Sequence, residues 1–315
     1  HEQFYRKFFL MSKILHDGIS ENLTISVKTC NIISLKKSFT IANFYDIENT
    51  IIFPLNGKLR YGKNKRKLEN NSALFISSHS TQSLSFGSSR AKTLAYEDFI
   101  DKKSKYIFDD SDSNSNSTYE SFLIISVDVK AFDLINIFHS KYVDVSEFCD
   151  RSILSVLKLI ENELRNKPIG YKKVISLMSD RLIYEIMRSL IAIQPLFSGV
   201  EENYKFFSDQ KILGLLSFLQ ENLDKELSNK VISNHLNISE DYVGQFFKNS
   251  IGFSPQDYIE HKRMERAIEL LREDENAVKV ISNEVGYKDT AYFCRRFKLM
   301  FGVQAGKMRK RLGEI

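Results

Sequence analysis

Cysteine is scarce in this 315-residue chain, and the three present, Cys30, Cys149 and Cys294, show no CxxC pair and no matched spacing. An odd, sparse set of that kind argues against a disulfide framework and fits a reducing compartment. Tryptophan is absent, which carries no functional message. No apolar run approaches the roughly 20 residues that span a bilayer, so no membrane association is expected. Near the start, Lys7 and Lys13 flank only a short Phe-Phe-Leu-Met patch, too little for the apolar region of a signal peptide. The expected location is the cytoplasm. Between residues 20 and 100 the only histidine is His79, so no histidine cluster is there to hold a metal, and neither metal nor cofactor is expected. Net charge is a mild +5, short of the dense positive charge on which nonspecific architectural DNA proteins lean.

What is present is globular. Hydrophobic residues make up 43% and aromatics 12%, and the length suffices for two domains. Residues 20–100 alternate Tyr, Phe, Ile and Leu segments with Asn, Gly and Ser turns, the pattern of short strands. Ile51–Leu55 is followed by Asn56-Gly57, a hairpin signal. Lys58–Tyr61, Ala73–Ile76, Ser83–Phe86 and Phe122–Val127 continue the strands, with Gly62-Lys63-Asn64 as a further turn. So many short strands predict a small barrel or sandwich. Residues 109–118 are almost purely polar and read as a solvated loop, lacking the Gly and terminal Glu of an EF-hand loop. From about residue 129 the apolar period changes from two toward 3.6. Ile153–Leu164 and Val174–Ile191 form two amphipathic stretches broken by Pro168-Ile169-Gly170. Such stripes are usually core, yet Leu157, Ile160, Leu164, Leu182 and Ile186 are also candidates for a homodimer interface. Residues 195–206 read as a linker.

The C-terminal third repeats itself. Val231-Ile232-Ser233-Asn234 returns as Val280-Ile281-Ser282-Asn283, and Leu236 corresponds to Val285. After a one-residue shift Tyr242-Val243 pairs with Tyr292-Phe293, Phe247-Lys248 with Phe297-Lys298, and Gly252 with Gly302. Helices are expected at 210–222, 229–236, 240–250, 255–272, 278–285 and 289–300, with a final one from about 304. Ser254 is the expected N-cap and Pro255 the first residue of the long helix. Two copies of a helix-turn-helix unit joined by one helix point to double-stranded DNA. Charge agrees: residues 279–311 hold nine Lys/Arg against two acids, whereas residues 224–260 hold three against six. A basic block lying on the second unit strengthens the nucleic-acid reading.

Packing two helices closely accounts for the small Ser233 and Ser282 and for Gly286 at the second turn. Val243, Phe246, Phe247, Phe293 and Phe297 should face inward. Base-contacting candidates are then Glu240, Asp241, Gly244 and Gln245 in the first unit and Lys288, Thr290, Ala291, Cys294 and Arg295 in the second. Gln245 suits adenine, Arg295 guanine, and Thr290 and Ala291 a thymine methyl. Glu240 and Asp241 also suit a helix N-terminus, where the dipole favours negative charge. Lys230, Lys248, Lys262, Arg263, Arg266, Lys298, Arg309 and Lys310 are assigned to phosphate.

Three strings carry a resemblance to a known family: Gly252–Ile259, Arg263–Leu271, and Ala277 through Gly286-Tyr287-Lys288-Asp289-Thr290-Ala291-Tyr292-Phe293-Cys294-Arg295-Arg296-Phe297-Lys298 to Phe301-Gly302. Over residues 209–311 they resemble the AraC/XylS family of bacterial transcription regulators. Gly302-Val303-Gln304-Ala305-Gly306 stands where Gly-x-Ser-Pro is usual, and Met308 where Tyr is usual. The resemblance implies an α+β chain: a cupin-like, effector-binding β-barrel over 1–128, a helical dimerisation part over 129–200, and over 209–315 an all-α DNA-binding domain. In that domain two helix-turn-helix units on a long helix enter successive major grooves. It implies a non-enzymatic regulator, expected to be an activator, with DNA, RNA polymerase, a second copy of the chain, and a small-molecule or protein effector as partners. No effector-binding residue is assigned. The competing expectation is an enzyme fused to this module, such as a DNA-repair alkyl-transfer protein. Cys30 and Cys149 lack the neighbouring His, Arg or Cys that would activate such a nucleophile.

Overall fold

The computed structural model describes residues 21–108, 119–131, 133–138, 143, 145–193, 210–251, 254–273 and 275–313. The polar segment 109–118, the expected linker and the apolar patch near residue 10 lie outside them. Contacts divide the described residues into two compact units, one within 21–193 and the other within 210–313.

The first unit is built on two sheets. One has the order β1 (Leu23–Ser34), β9 (Ser121–Ala131), β3 (Asn49–Pro54), β6 (Ala73–Ile76), β11 (Val145–Phe148), with β10 (Ile135–Asn136) also on β9. The other runs β5 (Arg66–Lys67), β4 (Leu59–Tyr61), β7 (Thr81–Phe86), β2 (Phe39–Tyr45), β8 (Lys92–Leu94). Their inner faces meet where Phe86 and Phe122 lie edge to face at 5.1 Å, and within its own sheet Phe39 stacks on Phe86 at 5.0 Å. A short helix α1 (Tyr96–Asp101) presents Phe99 to Phe39 at 4.6 Å. Among the described residues no strand is shared between the sheets, so the β-domain is a cupin-like pair of open sheets rather than a closed barrel.

Asn56-Gly57 explains part of that difference. It does not close a hairpin, because β3 pairs with β6 and β9 while β4 pairs with β5 and β7. The chain crosses from one sheet to the other there. Asn56 Oδ1 accepts from Ser121 N at 2.6 Å and Ser121 Oγ at 2.8 Å, and its amide donates to Tyr119 O at 2.9 Å. A Cβ on Gly57 would collide with the Phe122 ring. The pair therefore clamps the start of β9 and lets a core aromatic pass. The turn at Gly62, with φ of 75°, does join a hairpin, β4 to β5.

The helical period also begins later than residue 129. Strand β9 runs to Ala131, and β10 and β11 extend the sheet to Phe148. Helix α2 (Arg151–Asn166) then ends on left-handed Lys167, and α3 (Tyr171–Ile193) follows Gly170. Leu157, Ile160, Leu182 and Ile186 are 0% exposed within the single chain, and Leu164 is half-buried. The stripe proposed for a dimer is thus intramolecular core. Burying each such side chain contributes roughly 1.5–3 kcal/mol, and none of the four has surface left for a second chain to cover.

The second unit contains α4 (Gln210–Glu221), α5 (Asn229–Leu236), α6 (Glu240–Ile251), α7 (Pro255–Glu273), α8 (Val278–Glu284), α9 (Thr290–Phe301) and α10 (Ala305–Gly313). Ser254 caps α7, accepting from Asp257 N at 3.2 Å and donating to Asp257 Oδ2 at 2.6 Å. The missing Pro is no obstacle to α10: Lys307 N and Met308 N donate to Gln304 O at 3.0 and 2.9 Å, and Met308 is buried in the position usually held by Tyr.

Candidate nucleic-acid interface

Helices α5 and α6 form one helix-turn-helix, α8 and α9 the other. Their cores match residue for residue. Ile232 and Ile281, Val243 and Phe293, and Phe247 and Phe297 are all fully buried, and Ser233 and Ser282 lie beneath them. Phe246 is only half-buried. Each turn uses a left-handed residue at the same repeat position, Asn237 (φ 54°) in the first and Gly286 (φ 87°) in the second. Asparagine tolerates that conformation and glycine adopts it freely. The second turn is longer, and its N-cap Asp289 accepts from Ala291 N at 2.8 Å and Tyr292 N at 3.1 Å.

With Val243 and Phe247 turned inward, the opposite face of α6 carries Tyr242, Gln245 and Asn249, three and four residues apart. Gln245 Nε2 donates to Asn249 Oδ1 at 2.5 Å. The same arithmetic on α9 gives Tyr292, Arg295 and Leu299, with the Arg295 guanidinium 6.0 Å from the Tyr292 ring centre. Tyr242 and Tyr292 are 49% and 48% exposed, and Leu299 is 73% exposed. Glu240, Asp241, Gln245, Lys288, Ala291, Cys294 and Arg295 are exposed, and Gly244 and Thr290 are half-buried. The expected base-contact list thus omitted Tyr242, Asn249, Tyr292 and Leu299. Counting three and four residues outward from Gln245 and Arg295 would have found them.

The expected phosphate contacts divide. Lys230, Lys248 and Lys298 are exposed, as is Arg266 beside Glu269 at 3.0 Å. Lys262, by contrast, is 11% exposed and paired with Glu265 at 2.9 Å above the Tyr258 ring. Arg263 donates to Leu223 O at 2.8 Å and Lys225 O at 2.6 Å, and burial lowers its pKa from the usual arginine range. Arg309 reaches the carbonyls of Glu275 and Asn276 before α8. Arg263 and Arg309 thus tie separate segments together, while Lys262 is paired within its own helix. Sequence could not separate them, because surface and buried arginines look alike without their partners. The side chain of Lys310 lies outside the described residues. Arg296 is occupied too: its Nε and Nη2 meet the two Glu260 oxygens at 2.6 and 2.5 Å, which raises its pKa.

Cys30 itself is poorly suited to alkyl transfer. Burial on β1 pushes its thiol up to about 12, so it holds its proton at neutral pH and is a poor nucleophile. Cys149 and Cys294 are exposed. Among the described residues there is no group of three metal-ligating side chains, and no helix is long and apolar enough to cross a membrane.

Two matched helix-turn-helix units on one connecting helix, each with an outward polar face, define a double helix-turn-helix DNA-binding unit. The profile of a helix-turn-helix domain family matches residues 232–311. The chain is 32% identical over 132 residues to the raffinose operon transcriptional regulatory protein of Pediococcus pentosaceus, covering 42% of this chain and 47% of that one. It is 26% identical over 132 residues to the lactose operon transcription activator of Staphylococcus xylosus, with the same coverage. The chain spans about half the length of these curated relatives. Over 94% of this chain and 100% of the other, the fold is similar to that of ToxT from Vibrio cholerae O395, with a TM-score of 0.50 and 12% identity. That likeness concerns the fold: a cupin-like β-domain and a helical DNA-binding domain in one chain. Residues 232–311 are a helix-turn-helix domain.

Proposed function

We propose that the whole chain is a sequence-specific transcription regulator that activates its promoters and is controlled through its N-terminal unit. The observation that carries this reading is the matched pair of recognition helices, each with one outward face and an aromatic core beneath it. In this reading α6 and α9 dock in adjacent major grooves. Gln245 and Arg295 read base edges, with Ala291 and Thr290 beside them. Tyr242 and Tyr292 add contacts on the same faces. Glu240, Asp241, Gly244, Lys288 and Cys294 stand at the rim, and Lys230, Lys248, Arg266 and Lys298 neutralise phosphates. The raffinose and lactose operon regulators support a role at promoters, and hence contact with RNA polymerase.

The cupin-like unit would receive the signal, from a small molecule or a partner protein. A homodimer would form through α2 and α3. Since their shared stripe is core, the contact falls instead on the large apolar side chains these helices leave exposed, Leu159 and Leu177. The experiment is selection of bound duplexes from a random library by the full chain. Two enriched blocks about one helical turn, roughly 10 base pairs, apart are expected. Recovery of random sequence would sink the reading.

A further inference from the structure

Three polar side chains of the DNA-binding unit were not absorbed by base or phosphate contact, and they meet on one turn of the connecting helix. Glu260 and Arg263 sit three residues apart on α7, which places them side by side. Arg263 reaches toward the first helix-turn-helix. It donates to the carbonyls of Leu223 and Lys225, in the segment that leads from α4 into α5. Glu260 reaches toward the second. It receives both hydrogen bonds of the Arg296 fork, from the middle of the recognition helix α9. Tyr287, in the second turn, lies between them: its hydroxyl is 3.5 Å from Glu260 Oε1, and its ring centre is 5.8 Å from the Arg263 guanidinium.

Gly286 completes the arrangement. Its φ of 87° needs glycine, and a Cβ there would strike both the Leu223 carbonyl and the Arg263 guanidinium. The second turn is therefore pressed against the backbone that leads from α4 into α5, with an arginine from the connector filling the seam. A rod-like connecting helix alone would leave each unit free to roll about its own contacts with α7. Cross-links made from one helical turn to the second helix-turn-helix and to the segment that leads into the first oppose that motion.

We propose that Glu260, Arg263 and Tyr287 form a clasp that sets the distance and rotational phase between the two recognition helices. These are positioning residues: none is offered as a DNA contact. The proposal rests on the two-groove reading above for its functional consequence, and on geometry alone for its structural one. A locked phase means that the two sequence blocks are read at one spacing. Inserting two base pairs rotates the second groove by about a fifth of a turn, and a rigid pair cannot follow it.

The test uses the full chain with its three native cysteines replaced and spin labels introduced by Asn249→Cys and Leu299→Cys, one on each recognition helix. The native clasp should give one narrow label-to-label distance distribution by pulsed electron resonance. Glu260→Gln with Arg263→Met should broaden or split it. If that double variant does not fold, Arg263→Lys is read instead, since a single ammonium cannot hold two carbonyls in the guanidinium's fork geometry. A variant that melts earlier yet keeps the narrow native distribution overturns the proposal.

The second readout is binding to a selected duplex with two base pairs added or removed between its blocks. The wild type should lose about tenfold or more, and the clasp variant less than about threefold. Equal losses for both proteins also overturn the clasp. If the wild type binds no duplex selectively, the two-groove reading fails, while the distance measurement still decides the clasp.

Discussion

At the residue scale, what a cation does here depends on its neighbours more than on its place in the basic block. Arg295, Arg296, Arg263 and Arg309 lie in one family-like stretch. Arg296 is clasped by Glu260, and Arg263 and Arg309 are spent on backbone carbonyls. Arg295 is exposed, with the Tyr292 ring beside it. Its guanidinium is therefore open for a bidentate contact to guanine. Arg295→Ala should cost roughly 1–3 kcal/mol on a selected duplex and relax preference at one base pair. Titration of the variant against the selected and a random duplex checks this. An equal loss on both would make Arg295 a phosphate contact. The identities of the outward residues were legible from the repeat, because identical buried positions in two copies leave the rest outside. The fate of each arginine was not, since its partner lies 33 to 40 positions away in sequence.

At the scale of elements, two glycines in the DNA-binding unit have opposite meanings. Gly244 is inside α6, and a Cβ there meets nothing within 4 Å. Gly244→Ala should stabilise the protein by about 0.5–1 kcal/mol through helix propensity alone. Gly286 ends the second supporting helix at φ 87° against Leu223 and Arg263. Gly286→Ala should destabilise by roughly 2–4 kcal/mol, from strain and collision together. Urea unfolding of the two variants gives both signs. An unchanged midpoint for Gly286→Ala would mean that the second turn can move away from the α4–α5 segment. Element boundaries in this half follow the sequence reading closely, because caps, periodicity and a repeat all agree. In the β-half, Asn56-Gly57 misleads for a definite reason: a turn-forming pair reports a local bend, and only pairing decides which strands the bend connects.

For the whole molecule, charge is divided between the two helix-turn-helix units. The second has exposed Lys288, Arg295 and Lys298, while the first offers Lys230 and Lys248 beside the acids Glu240 and Asp241. The second unit should therefore carry most of the electrostatic binding. Neutralising Lys288, Arg295 and Lys298 together should reduce the slope of log affinity against log salt by about 2–3. Neutralising Lys230 and Lys248 should reduce it by about 1 or less, because neighbouring carboxylates already offset part of their field. Titrations of the full chain on one random duplex at several salt concentrations measure both. Similar reductions from the two sets would assign the units equal shares.

By itself the sequence determined that this chain ends in two helix-turn-helix copies on a connecting helix, that the second is the basic one, and that a β-rich half precedes them. Those features are local or periodic, so neighbouring residues suffice to reveal them. The tertiary structure decided what depends on distant partners. It separated two open sheets from a closed barrel, since the bend at Asn56-Gly57 crosses between them. It assigned Leu157, Ile160, Leu182 and Ile186 to the core, because an amphipathic stripe is the same whether its cover comes from its own chain or another. It tied Arg263 and Arg309 to backbone carbonyls 33 to 40 positions away, because such contacts form only once distant segments are brought together.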